Sequence, residues 1–193
     1  MLKNKKINPN YFTGKLLIAT PLLNGSCFEK SVVYLCAHND TGAMGILVNL
    51  TLNNMKYSDL LKEVGIRNSE IHCSELPIYF GGPVEAGKGF ILHTNDYHSF
   101  NTQLIKDNIS LTSTVDILKD MAVGRGPNKK IIALGCAGWG PGQIEKEIKE
   151  NAWITISANE NLVFGENNKY KWQQAIDSLG IDMAMLSHVV GNA

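Results

Sequence analysis

Arginine is nearly missing from this chain: Arg67 and Arg125 are the only two among 193 residues. That leaves little for the bidentate guanine contact that dominates base readout in DNA. An excess of charge is lacking too, since 18 basic side chains balance 18 acidic ones. Without a net field to attract a polyanion or an anionic bilayer, direct nucleic-acid binding is not expected, nor is a membrane partner. No apolar run approaches the roughly 18 residues a membrane span requires, and Lys3, Lys5 and Lys6 are not followed by the apolar stretch of a secretory signal. The four cysteines, Cys27, Cys36, Cys73 and Cys136, are too few for a disulfide framework in a chain this long. They read as reduced thiols, and the expected location is cytoplasmic. Neither C-x-x-C nor H-x-x-x-H occurs, nor G-x-G-x-x-G, nor a glycine followed by Lys-Ser or Lys-Thr. The usual signatures of structural zinc, dinucleotide and P-loop sites are therefore missing. The expectation is no cofactor, no metal ligand set and no assigned catalytic residue.

What is present is an ordinary globular composition, 44% hydrophobic and 19% charged, in a length that suits one domain. The polar start has little to bury, so residues 1–13 read as a flexible N-terminal arm and 14–193 as a single domain. Short apolar or β-branched runs predict strands at 16–19, 32–37, 42–49, 78–80, 90–92, 109–112, 131–134 and 153–157. The turn formers His38 to Gly42 pair the second and third of these as a hairpin. Tyr57, Leu60, Leu61 and Val64 share one helical face, ended by Gly65. Thr114 starts a second helix, to about Val123, with Val115, Leu118, Met121 and Ala122 inward. Gly142 to Asn151 follows Pro141 as a third, and Tyr170 to Leu179 makes a fourth. Early hairpins and a later alternation of strands with helices give an α+β fold: a single compact domain, with a mixed, largely antiparallel β-sheet flanked by helices.

Several segments invite a chemical reading. Gly135 to Gly142 joins a predicted strand to a helix, a place where α/β proteins bind phosphate, but it also suits a tight turn beneath Trp139. Cys136 falls at the predicted strand end, where a nucleophile needs a nearby base such as His38 or His93. The bland alternative is a small buried hydrophobe. Cys36 and His38, two apart in a strand, would share a face and could hold two metal ligands, whereas His72 and Cys73 would point to opposite faces. Gly81 to Gly89 reads as one long turn.

Four stretches, taken in order, resemble the YqgE/AlgH family of bacterial proteins. They are Gly14 to Pro21 with Phe28, Ser31 to His38 and Gly42 to Asn49; Tyr79 to Val84 with Gly89 to His93; Leu134 to Trp139 with Gly142 to Glu145; and Trp172 with Leu179 to Asp182 and a Gly-x-Ala at Gly191 and Ala193. The chain departs where Cys136 stands for a usual tyrosine, Leu50-Thr51 for a basic-Pro pair and Asn192 for a common histidine. The resemblance implies a compact α+β cytosolic protein and brings no cofactor or reaction with it, although some members have been described as transcriptional regulators.

The leading expectation is a non-catalytic regulatory module that binds a small molecule or a protein. His38, Asn49, Gly81, Gly82, Pro83, His93, Cys136 and Trp139 form its expected binding cluster, because strand ends and glycine-rich turns are where sites are built. Two alternatives stand beside it: a transcriptional regulator acting directly or indirectly, and a thiol- or histidine-dependent enzyme using Cys136 or His93.

Overall fold

The computed structural model describes residues 11–66 and 75–180. Arg67, His72, Cys73, the first ten residues and the tail from 181 lie outside the described residues. Among the described residues, ten strands form one curled sheet. They are β1 (Lys15–Ala19), β2 (Val32–Asn39), β3 (Gly42–Leu47), β4 (Thr51–Lys56), β5 (Pro77–Phe80), β6 (Val84–Thr94), β7 (Gln103–Lys106), β8 (Ile109–Thr112), β9 (Lys130–Trp139) and β10 (Trp153–Ser157). Five α-helices among the described residues accompany them: α1 (Tyr57–Glu63), α2 (Val115–Ala122), α3 (Gln143–Lys149), α4 (Glu160–Phe164) and α5 (Asn168–Asp177). The strand order is β10-β1-β2-β3-β9-β6-β8-β7, with β4 joined through β5 to β9. All of these pairs are antiparallel except β5 with β9, so the fold is the expected α+β with a largely antiparallel sheet.

β9 holds the two halves of the sheet together. Its first half lies between β5 and β6, and its end pairs with β3 through Ala43 and Trp139. The backbone at 81–82 crosses it closely, where Gly81 donates to Leu134 O at 2.8 Å and accepts from Leu47 N at 3.0 Å. A Cβ on Gly82 would lie 2.2 Å from the Cys136 carbonyl carbon, and one on Gly135, whose φ is +74°, would lie 2.3 Å from Gly82 O. Glycine is required here because only a bare backbone fits.

Strand alternation divides the core. One face, with Leu16, Ile18, Tyr34, Ile46 and Ile131, is closed by Val163, Ala175 and Ile176 of α4 and α5. The other face carries α3 over Leu17, Val33 and Leu35, and α1 and α2 over Ile78, Ile91 and Ile132.

The structure corrects several boundaries. The strand at 131–134 continues through Gly135 to Trp139, so Cys136 sits inside β9 rather than at its end. The turn at 81–89 shrinks to three residues, because β6 begins at Val84. Val115 points outward at 43% exposure, and Ile117 takes the inward position. The helix expected from Gly142 spans only α3, and the last helix starts two residues early, at Asn168. β4, β7 and α4 carry no periodic apolar signal and were not expected.

Candidate functional site

A register shift between Leu35 and Ala37 places a bulge at Cys36. Cys36 joins the core under α4 and α5, whereas His38 pairs with Ala43 in the core under α3, so the two do not share a face. An extra residue reverses the alternation beyond it, which overturns the metal-ligand spacing. No group of three or more His, Cys, Asp or Glu side chains among the described residues could hold a metal ion.

His38 and Trp139 are brought to one face, two strands apart, and both are held by α3. Phe12 N–H donates to His38 Nδ1 at 3.0 Å, so Nε2–H donates to Glu145 Oε1 at 3.0 Å. The Phe12 ring stacks on the imidazole. Glu147 Oε2 accepts the indole N–H of Trp139 at 2.9 Å and that of Trp153 at 2.8 Å, and its other oxygen accepts from Gln143 at 2.8 Å. Phe28 stacks on Trp139 and meets Trp153 edge-on. The network is filled by its own side chains and is satisfied except at Glu145 Oε2, which is buried without a partner.

The other expected residues are dispersed. Asn49 accepts from Val32 N at 2.8 Å and donates to Lys30 O at 2.9 Å, clamping the start of β2. Gly81, Gly82 and Cys136 meet at the backbone crossing, with Pro83 next in the chain. His93 is fully buried: Nδ1–H donates to Thr94 O at 2.7 Å, and Nε2 accepts from the Thr112 hydroxyl at 2.9 Å. Burial holds its pKa below the ordinary histidine range, which favours the neutral ring. Burial also raises both core thiols, with Cys36 assisted by Cys136 and Cys136 by Glu85. Neither thiol has the lowered pKa of a nucleophile.

The open polar ground lies elsewhere, around α4 and α5. Asn159 caps α4 by accepting from Leu162 N at 2.9 Å. α5 is fastened to the sheet by Trp172, whose indole N–H donates to Ala19 O at 2.8 Å. Lys171, only 1% exposed, donates to Val48 O at 2.7 Å and Val163 O at 2.8 Å, with its ammonium 5.7 Å from the Tyr79 ring centroid. Burial lowers its pKa to about 8. The Tyr79 hydroxyl lies 3.0 Å from Asn168 Nδ2, and burial, opposed by that amide, keeps the phenol protonated beyond its ordinary range.

Beside this pair opens a cavity of about 420 Å³, with a floor of Ile132 and Phe164 and a rim of Tyr79, Asn128, Lys129 and Asn168. Lys129 is braced against Glu160 at 2.9 Å. Across Asn168 a second cavity, of about 470 Å³, extends past Lys30 and Asn49 to Trp172. Both volumes suit a small ligand. Of this ground, sequence reasoning singled out Asn49 as a site residue, and Tyr79 and Trp172 only as part of the family resemblance. Asn168 and Lys171 carry no spacing or motif that marks them.

The fold class is thus an α+β protein on a curled sheet, with a polar cleft where two helices seat against it. The profile of the AlgH-like family matches residues 16–184, and the chain belongs to that family. A UPF0301 protein of Rhodospirillum rubrum is 44% identical, over 95% of this chain and 95% of its own. One of Paracoccus denitrificans is 45% identical, over 94% and 96%. The solution structure of the AlgH protein from Pseudomonas aeruginosa superposes with a TM-score of 0.78 at 32% identity, covering 98% of this chain and 100% of that one. A crystal structure of a Corynebacterium diphtheriae protein shares the fold, with a TM-score of 0.71 at 15% identity over 90% of each chain.

Proposed function

We propose that this protein is a non-catalytic binding module whose ligand sits in the cleft beside the Tyr79–Asn168 pair. The observation that carries this reading is convergence: a protonated phenol, a side-chain amide and a braced ammonium surround an apolar floor in a cavity of about 420 Å³. A few placed polar groups over an apolar floor are the ordinary make-up of a small-molecule site. Catalysis has less support. The buried thiols are shifted away from reactivity, and His93 has both ring nitrogens engaged by Thr94 and Thr112. A regulatory role would then run through ligand occupancy or a protein partner rather than through DNA contacts, given the balanced charge.

The test is thermal unfolding against a panel of small metabolites. A ligand at 100 times its Kd adds about 2.7 kcal/mol, which raises Tm by several degrees in a chain of this size. Tyr79→Phe is expected to lose at least half of that shift while unfolding cooperatively. A shift that Tyr79→Phe leaves whole places the ligand elsewhere, and a flat panel rejects the reading.

A further inference from the structure

Resting on that reading of the α4–α5 face as a ligand site, we infer that the cavity beyond Asn168 binds a free nucleoside monophosphate, its base stacked on Trp172 and its phosphate held by Lys30 and Lys169. Trp172 is half-buried and fixed from behind, its N–H committed to Ala19 O at 2.8 Å. Lys30 Nζ stands 5.9 Å from the indole centroid. That ammonium sits over the indole face, so a flat ring in van der Waals contact with the indole, about 3.5–4 Å away, takes the ammonium's place there and moves it toward the ligand's own phosphate. Base-on-aromatic stacking and an adjacent cation are a common pairing for nucleobases.

Two further features point the same way. Lys30 has φ +50°, a left-handed backbone that lysine adopts rarely, and Asn49 clamps its carbonyl at 2.9 Å. Strained positions of this kind gather at ligand clamps. The cavity is also cationic. Its lining carries two ammoniums, Lys30 and Lys169, neither with a carboxylate partner among the described residues, against one carboxylate, Glu29, which accepts from Gly25 N–H at 2.9 Å through one oxygen. A cavity of about 470 Å³ suits a mononucleotide, and the balanced charge of the chain argues against a long polyanion.

The experiment is tryptophan fluorescence of the full chain titrated with AMP, adenosine, inorganic phosphate and a short oligothymidylate. Trp139 and Trp153 are buried under α3, so the expected AMP-dependent quench comes from Trp172. It should saturate, and Trp172→Phe should abolish it. Lys30→Asn tolerates the left-handed backbone and removes the cation; it should weaken AMP at least fivefold. Adenosine and phosphate should each bind at least tenfold more weakly than AMP. The inference is overturned if AMP produces no quench that Trp172→Phe removes, if adenosine or phosphate matches AMP, or if the oligonucleotide binds more tightly. Should other metabolites stabilise the chain in a Tyr79-dependent way while Trp172 stays silent, the ligand class falls and the binding-module reading stands. Silence in both assays removes both.

Discussion

The faces under α3 and under α4–α5 are both rich in aromatic and polar side chains, and they use them in opposite ways. Under α3, one Glu147 carboxylate takes two indole N–H groups and a glutamine amide, and Phe28 fills the space between the rings. Polar atoms there hold the helix to the sheet. Around α5 the Tyr79–Asn168 and Lys129–Glu160 contacts leave cavities of about 420 and 470 Å³ beside them, with amides and ammoniums among the lining groups. The difference teaches that a conspicuous cluster is not a site when its members satisfy each other. A site needs groups that are positioned yet still have bonding capacity to offer.

The strongest way to break the comparison is Glu147→Ala. It strands two buried indole donors at about 1–3 kcal/mol each, so a loss of roughly 2–6 kcal/mol is expected in urea denaturation. Glu147→Gln keeps an acceptor oxygen and should lose clearly less. Ligand response at Tyr79 should be unchanged in whichever variant folds. A loss under 1 kcal/mol for Glu147→Ala would mean that the α3 network is as loose as the opposite face.

Lys171 gives the next effect, and its sign depends on pH. Its folded pKa, about 8, lies below the ordinary 10.5, so the native state binds the proton less tightly than the unfolded chain. The stability it contributes is lowest below about pH 8 and rises with pH until the unfolded value is reached. Lys171→Met leaves the Val48 and Val163 carbonyls without a donor while removing a buried charge. A net loss of about 2 kcal/mol is expected at pH 7. The gap between wild type and variant should widen from pH 7 to pH 10 by about 2–3 kcal/mol, as the wild type sheds the penalty of a buried charge. A gap that narrows over that range would show that the ammonium is not desolvated.

How much of this was legible in the sequence follows from what each residue type reveals on its own. The β2–β3 hairpin, the helical face of Tyr57, Leu60 and Leu61, and the α+β class were readable, because periodicity and turn formers act locally. The bulge at Cys36 and the positive φ of Gly135 were not, since each depends on which strand lies alongside. That is why Cys36 and His38 seemed to share a face. The glycines at 81, 82 and 135 stood out as a loop motif, yet their reason is a backbone crossing between segments some fifty residues apart. β4 and β7 are short, mostly polar and at the margins of the sheet, so no alternation marks them. Lys171 sits in a polar stretch that reads as solvated, and only the fold shows two carbonyls waiting for it. Lysine is almost never fully buried, so composition argues against its position.

Asn168→Ala is the smallest change in stability and the sharpest test of the contrast. Asn168 opens α5, where alanine is a better helix former, and its half-buried amide bonds the Tyr79 hydroxyl at the edge of a cavity that water can enter. The expected loss is therefore about 0.5–1 kcal/mol, the net value of one replaceable hydrogen bond. Asn168 lines both cavities, however, so any ligand that uses either one should bind at least tenfold more weakly. Glu147→Ala should show the reverse, a large stability loss with binding intact. If Asn168→Ala instead lost more than about 2 kcal/mol with binding unchanged, its amide would be a structural tie like Glu147, and the cleft would be packing rather than a site.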